Sequence, residues 1–136
     1  LNVPVVGEYL MGAYIAPIML PQTQSSDFYR PERFPDWEEK YRVQMEYEGF
    51  RRAILSTMRN LTELDAIAEY ESIGEQKRPV LLLWGREDQT NSFEDVETVR
   101  RAIPGIEFHP IDEAGHLSHY EQPKVVNPLL IGFLEP

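Results

Sequence analysis

Residues 79–85 read PVLLLWG, and how this stretch is paired decides the fold. The apolar run is of strand length and does not alternate. A strand with one face in water would show a polar residue at every second position, so an unbroken run suits a parallel strand covered on both faces. Downstream, Ser92 and Asp95 are spaced as a capping box that opens a helix through Val96, Val99 and Ile103, and Pro104-Gly105 stops it. IEFHPI at 106–111 is then the returning strand. Strand, helix and strand in this order predict a right-handed parallel crossover and an α/β class. The last helix gathers Val125, Val126, Leu129, Leu130, Phe133 and Leu134 on one stripe, and Pro128 within it predicts a kink or a late helix start.

Upstream the grammar is helical. Pro4, Pro17, Pro21, Pro31 and Pro35 restrict the first 35 residues to short helices, the best of them at 7–19. From Asp36, Trp37, Tyr41 and Met45, then Phe50, Ile54, Leu55 and Met58, recur at helical spacing, which predicts two amphipathic helices interrupted near Gly49. The charges between Glu38 and Glu48 form a solvated face. A third helix is expected at 61–72, with Leu64, Ile67 and Ala68 on one face, ended by GEQKR. The chain therefore divides into a helical region, 1–75, and a strand-bearing region, 76–136.

Composition narrows the partners. In 136 residues, 42% hydrophobic, 13 basic and 23 acidic side chains leave a net charge of −10, which disfavours nucleic acid and anionic membrane surfaces. Cysteine is absent, so disulfides and thiolate chemistry are excluded, and a cytoplasmic address is expected. The stretch from Val3 to Leu20 is broken by Pro4, Gly7, Glu8, Gly12 and Pro17 and reads as neither secretion signal nor membrane span. His116 and His119, with Asp112 and Glu113 nearby, lack the spacing of a zinc-protease helix and a third ligand, so no metal or other cofactor is expected.

Ligands in open parallel sheets sit beyond the carboxyl ends of the strands. Two loops leave that edge, GREDQT after the first strand and DEAGH after the second. They bring Asp88 and His116 together if the strands are neighbours. A carboxylate at one imidazole nitrogen selects the tautomer and leaves the other nitrogen to take a proton from a nucleophile. Glu87 is expected to be solvated, Asp95 to serve the helix cap, His109 to be a packed or edge residue of the second strand, and His119 to cap the last helix or face solvent. Trp84 at the end of the strand, and Tyr14 and Tyr47 in the helical region, are candidates to wall an apolar substrate pocket.

Strand, WGRED, helix, strand, AGH, EQP and terminal helix together resemble the second half of an α/β-hydrolase, and residues 1–75 resemble the helical cap of that family. The resemblance implies that Asp88 is the triad acid, that His116 is the triad histidine, and that the substrate is a small apolar ester or related molecule cleaved through a serine intermediate. No G-x-S-x-G elbow occurs: Ser25, Ser26, Ser56, Ser72, Ser92 and Ser118 all lack that setting. The expectation is a fragment, inactive alone, whose missing nucleophile half or a second copy of the chain covers the open strand edges in a swapped or strand-paired dimer. Alternatives are a non-catalytic association module, or the same fold with an aspartate nucleophile acting on epoxides or haloalkanes.

Overall fold

The computed structural model describes residue 3, residues 5–61 and residues 64–135. They form two compact units, one of residues up to Ser25 and from Glu32 to Leu64, the other of Ser26–Pro31 and everything from Asp65 onward. Expectations that fall on Pro4, and those on residues 62 and 63 in the third helix, lie outside the described residues.

The first unit is entirely helical. Helix α1 (Val6–Leu10) passes into a π-helical stretch, Met11–Met19, and then into α2 (Leu20–Thr23). The short separate helices expected from the prolines are instead one continuous helical course. Pro17 lies within the wider π turns and Pro21 directly after them, and the helical course carries both at the loss of one N–H donor each. Helices α3 (Trp37–Gln44) and α4 (Phe50–Asn60) follow, separated as expected at Gly49, whose φ of 86° suits a residue without Cβ. Met11, Ala16 and Leu55 make the core of this unit, with Ile15, Leu20, Met45 and Ile54 packed around them. The charged face of α3 is solvated and carries the i,i+4 pairs Asp36–Lys40 and Glu38–Arg42.

The second unit holds the sheet. Helix α5 (Ala66–Glu75) begins later than the apolar pattern suggests, because Asp65 caps it by accepting from the N–H groups of Ile67 and Ala68. It also runs past Gly74, into the stretch expected to end it. That glycine serves packing, since a Cβ there would lie 2.5 Å from the Ala102 carbonyl oxygen. Strands β1 (Leu81–Gly85) and β2 (Glu107–Ile111) pair in parallel, Leu81 opposite Glu107 and Gly85 opposite Ile111, with α6 (Val96–Ala102) as the crossover. The capping box is only half realised: the Ser92 hydroxyl accepts from Glu94 N–H and opens a 3-10 turn, Phe93–Asp95, ahead of α6. The Asp95 side chain makes no cap hydrogen bond to α6.

Helix α7 (Ser118–Glu121) leads into α8 (Pro123–Leu134), which starts at its first proline and continues through Pro128, so the late start does not occur. Of the predicted stripe, Val126 is fully buried, packing with Ile111 and Ala114 and flanked by Leu83 and Leu129, while Val125, Leu130 and Leu134 are exposed. The strands are less covered than expected. Leu81 to Trp84 are half-buried, and only Gly85 and Ile111 at the carboxyl end are closed off.

Candidate active site

The carboxyl ends of β1 and β2 are laced together before any catalytic group is considered. Arg86 N–H donates to the Ile111 carbonyl at 3.0 Å and Glu87 N–H to the Ala114 carbonyl at 3.1 Å. The Glu87 carboxylate, expected to be solvated, accepts in return from Ala114 N–H at 3.1 Å, so it works as a clip between the loops. Arg86 Nε also donates to Asp112 Oδ1 at 2.5 Å. The loops approach so closely that a Cβ on Gly85 would stand 2.2 Å from the Gly115 oxygen and 2.3 Å from that of Ala114.

Asp88 and His116 meet on this frame. Asp88 Oδ2 lies 2.9 Å from His116 Nδ1, with the aspartate side chain 4% exposed and the histidine side chain 38% exposed. Asp88 is itself held: its Oδ1 accepts from Thr90 N–H at 2.8 Å and Asn91 N–H at 2.9 Å, a local Asx turn. One carboxylate oxygen is thus spent on the loop and the other on the imidazole. A carboxylate can only accept, so Nδ1 carries a hydrogen, and in the neutral ring the lone pair is then on Nε2. Among the described residues Nε2 has no hydrogen-bond partner. Asn91 Nδ2 lies 3.5 Å from Nδ1, at the limit of contact.

Glycine before the histidine has a steric cause. A Cβ at Gly115 would be 2.7 Å from the Asp27 oxygen and 2.8 Å from the Tyr29 nitrogen. The segment Ser26–Pro31 therefore lies directly against the histidine loop. It receives Leu117 N–H at the Asp27 carbonyl (3.3 Å), and the Asp27 carboxylate accepts from Thr90 Oγ1 at 2.9 Å. Phe28, almost fully buried, meets the Tyr120 ring edge to face, with centroids 6.1 Å apart.

The remaining candidates divide by unit. Trp84 lines a cavity of 110 Å³ with Leu83, Gly85, Asp88, Asn91 and His116. Its indole N–H is engaged in holding the loop, donating to the Asn91 carbonyl at 3.3 Å. Tyr14, on the π-helical stretch, and Tyr47, between α3 and α4, belong to the first unit and are both exposed; Tyr47 borders an open hollow with Met45, Gly49, Arg51 and Arg52. His109 is partnered by Glu107 at 2.7 Å, and His119 lies exposed on α7. Among the described residues no group of three or more His, Cys, Asp or Glu is placed to hold a metal ion. Among them, too, no helix is long and apolar enough to cross a membrane.

Sequence reasoning missed Glu121. This carboxylate is 6% exposed and accepts from Gly115 N–H at 2.6 Å, from Tyr29 N–H at 3.1 and 3.2 Å, and from Arg30 N–H at 3.3 Å. Two of its three donors are about ninety positions away in sequence, so no local pattern marks it as buried.

No family model matches the chain. A 2-hydroxy-6-oxononadienedioate/2-hydroxy-6-oxononatrienedioate hydrolase of Cupriavidus pinatubonensis is 24% identical over 87 residues, 64% of this chain and 28% of that protein. The like-named hydrolase of Paraburkholderia phymatum is 31% identical over 62 residues, 46% of this chain and 22% of the relative. The solved 2-hydroxy-6-oxo-6-phenylhexa-2,4-dienoate hydrolase from Rhodococcus sp. strain RHA1 matches all of this chain with a TM-score of 0.68 at 22% identity. The chain spans 51% of that structure and under a third of each curated relative's length. Two parallel strands joined by a crossover helix, an acid and a histidine meeting at their carboxyl edge, and this structural likeness identify the chain as part of an α/β-hydrolase fold.

Proposed function

We propose that the full-length protein is a hydrolase in which His116 is the general base and then the general acid, oriented by Asp88. The single observation that carries this reading is the 2.9 Å contact between Asp88 Oδ2 and His116 Nδ1, with the histidine half-exposed beside a small cavity. His116 Nε2 takes the proton of a nucleophilic serine, or of water, supplied by a segment of polypeptide outside this sequence, and returns it to the leaving group. That same segment pairs with the open strand edges, and the helical first unit acts as the cap that shapes the pocket, Tyr14 and Tyr47 included.

The substrate is a small organic ester or a related compound. The relatives' names favour the latter, because a 2-hydroxy-6-oxo dienedioate contains no ester, and its hydrolysis must break a carbon–carbon bond beside the ketone. Water then adds across that bond, OH to the carbonyl carbon and H to the departing carbon, and one proton donor serves both substrate classes. A cytoplasmic setting accords with the same reading.

The test is turnover by the full-length protein of a nitrophenyl ester and of a 2-hydroxy-6-oxo dienoate, the second followed by loss of its dienol absorbance. His116→Ala is expected to abolish both. Undiminished turnover by that variant would remove the assigned base.

A further inference from the structure

We propose that Glu121 is the positioning residue of the histidine loop, fixing His116 against Asp88 through the main chain of its neighbour and tying that loop to Ser26–Pro31. The inference rests on the hydrolase reading above and adds a group that never touches substrate. A carboxylate buried to this degree is costly unless every lone pair is engaged. Glu121 meets that demand with backbone N–H donors alone: Gly115 from the histidine loop, Tyr29 and Arg30 from the other segment.

The shortest of these bonds, 2.6 Å, goes to the residue immediately before His116. Gly115 cannot shift toward Ser26–Pro31, because the Asp27 oxygen and the Tyr29 nitrogen already stand at contact distance from its α-carbon face. Nor can it shift toward β1, where its oxygen crowds Gly85. Glu121 adds a third restraint on Gly115, and the imidazole inherits the register of the loop. The other side of the pair is held by the same segment, since Asp27 accepts from Thr90 in the turn that fixes Asp88. One short stretch of chain thus braces both members of the pair, and Glu121 is its bolt on the histidine side.

The experiment compares Glu121→Gln and Glu121→Asp with His116→Ala in the full-length protein, with Ile103→Ala, a buried residue at the C-terminal end of α6, as a control for lost stability away from the carboxyl edge of the sheet. Glutamine keeps the shape but turns an NH2 toward N–H donors, and aspartate keeps the charge but is one methylene too short to reach both sets. We expect Glu121→Gln to lose kcat by up to about 10²-fold with KM little changed, as for a small misplacement of a catalytic group. The Nδ1 proton resonance of His116 should shift or vanish, and aspartate should restore part of both. Ile103→Ala, which loses buried apolar contact, should keep kcat and the resonance. A folded Glu121→Gln with wild-type kcat and an unmoved resonance, alongside an inactive His116→Ala, would overturn the positioning role alone. An active His116→Ala would instead overturn the hydrolase reading. If Glu121→Gln does not fold, Glu121→Asp decides: a folded aspartate variant with normal kcat and resonance overturns the inference, and a selective kcat loss supports it.

Discussion

At the level of single residues, the pair at the sheet edge makes an asymmetric demand on Asp88. Its Oδ1 needs only to accept from Thr90 and Asn91, which an asparagine oxygen also does, so Asp88→Asn should fold with its loop intact. The new amide would then present N–H to His116 Nδ1, forcing that nitrogen to accept and moving the ring hydrogen to Nε2, the wrong tautomer for a base. The expected result in the full-length protein is a kcat lower by about 10²–10⁴-fold with near-normal melting behaviour. Gly115→Ala makes the opposite prediction. Its Cβ would meet backbone atoms of Asp27 and Tyr29, which cannot rotate away, so unfolding free energy should fall by about 1–3 kcal/mol, measured by urea denaturation. An alanine variant as stable as the parent would mean that Ser26–Pro31 does not lie where it is described.

Among elements, the parallel crossover was legible because each part carries its own local signal: an unbroken apolar run, a serine cap, a Pro-Gly stop whose Gly105 takes a φ of 85°, and a second short strand. The meeting of Asp88 and His116 was legible for the same reason, since the two loops follow from strand adjacency. Helix α5 was displaced because periodicity ran through Leu64, whereas its true start is set by Asp65 and its true end by packing against α6. Glu87 and Glu121 were illegible because both satisfy donors contributed by distant chain, and a glutamate destined for burial looks in sequence like any solvated one. In the helical unit, the pair joining α1 to α4 is open to a direct check. Arg59 Nη1 donates to Glu8 at 2.9 Å and holds that carboxyl at about 2, well below the usual range, with local backbone donors assisting. A carboxyl group lowered in this way stabilises the fold above its ordinary titration range, and the contribution is lost as pH falls toward 2. Carbon-detected titration of Glu8 should report the low midpoint, and Arg59→Ala should raise it toward that of a free glutamate; an unmoved midpoint would exclude the pair as its cause.

For the molecule as a whole, the decisive feature is an apolar strand that the described residues do not finish covering. PVLLLWG has the composition of a central strand, yet Leu81 to Trp84 remain half-exposed, and among the described residues β1 and β2 have only each other as neighbours. Isolated two-stranded pairs are marginal in water, and an open apolar edge recruits further strands. On the proposed reading, the covering is the further segment of an α/β-hydrolase fold, the one that leads to its nucleophile. The 136 residues alone should therefore bind a hydrophobic dye and show a light-scattering mass that rises with concentration, whereas co-expression with the nucleophile-bearing segment should give one-to-one particles without dye binding. Amide exchange localises the effect, with Leu81 and Leu83 protected in the complete protein and exchanging faster in the isolated chain. A chain that stays monomeric at every concentration, excludes the dye and protects those amides would show that two strands suffice, and the proposed covering segment would lose its physical basis.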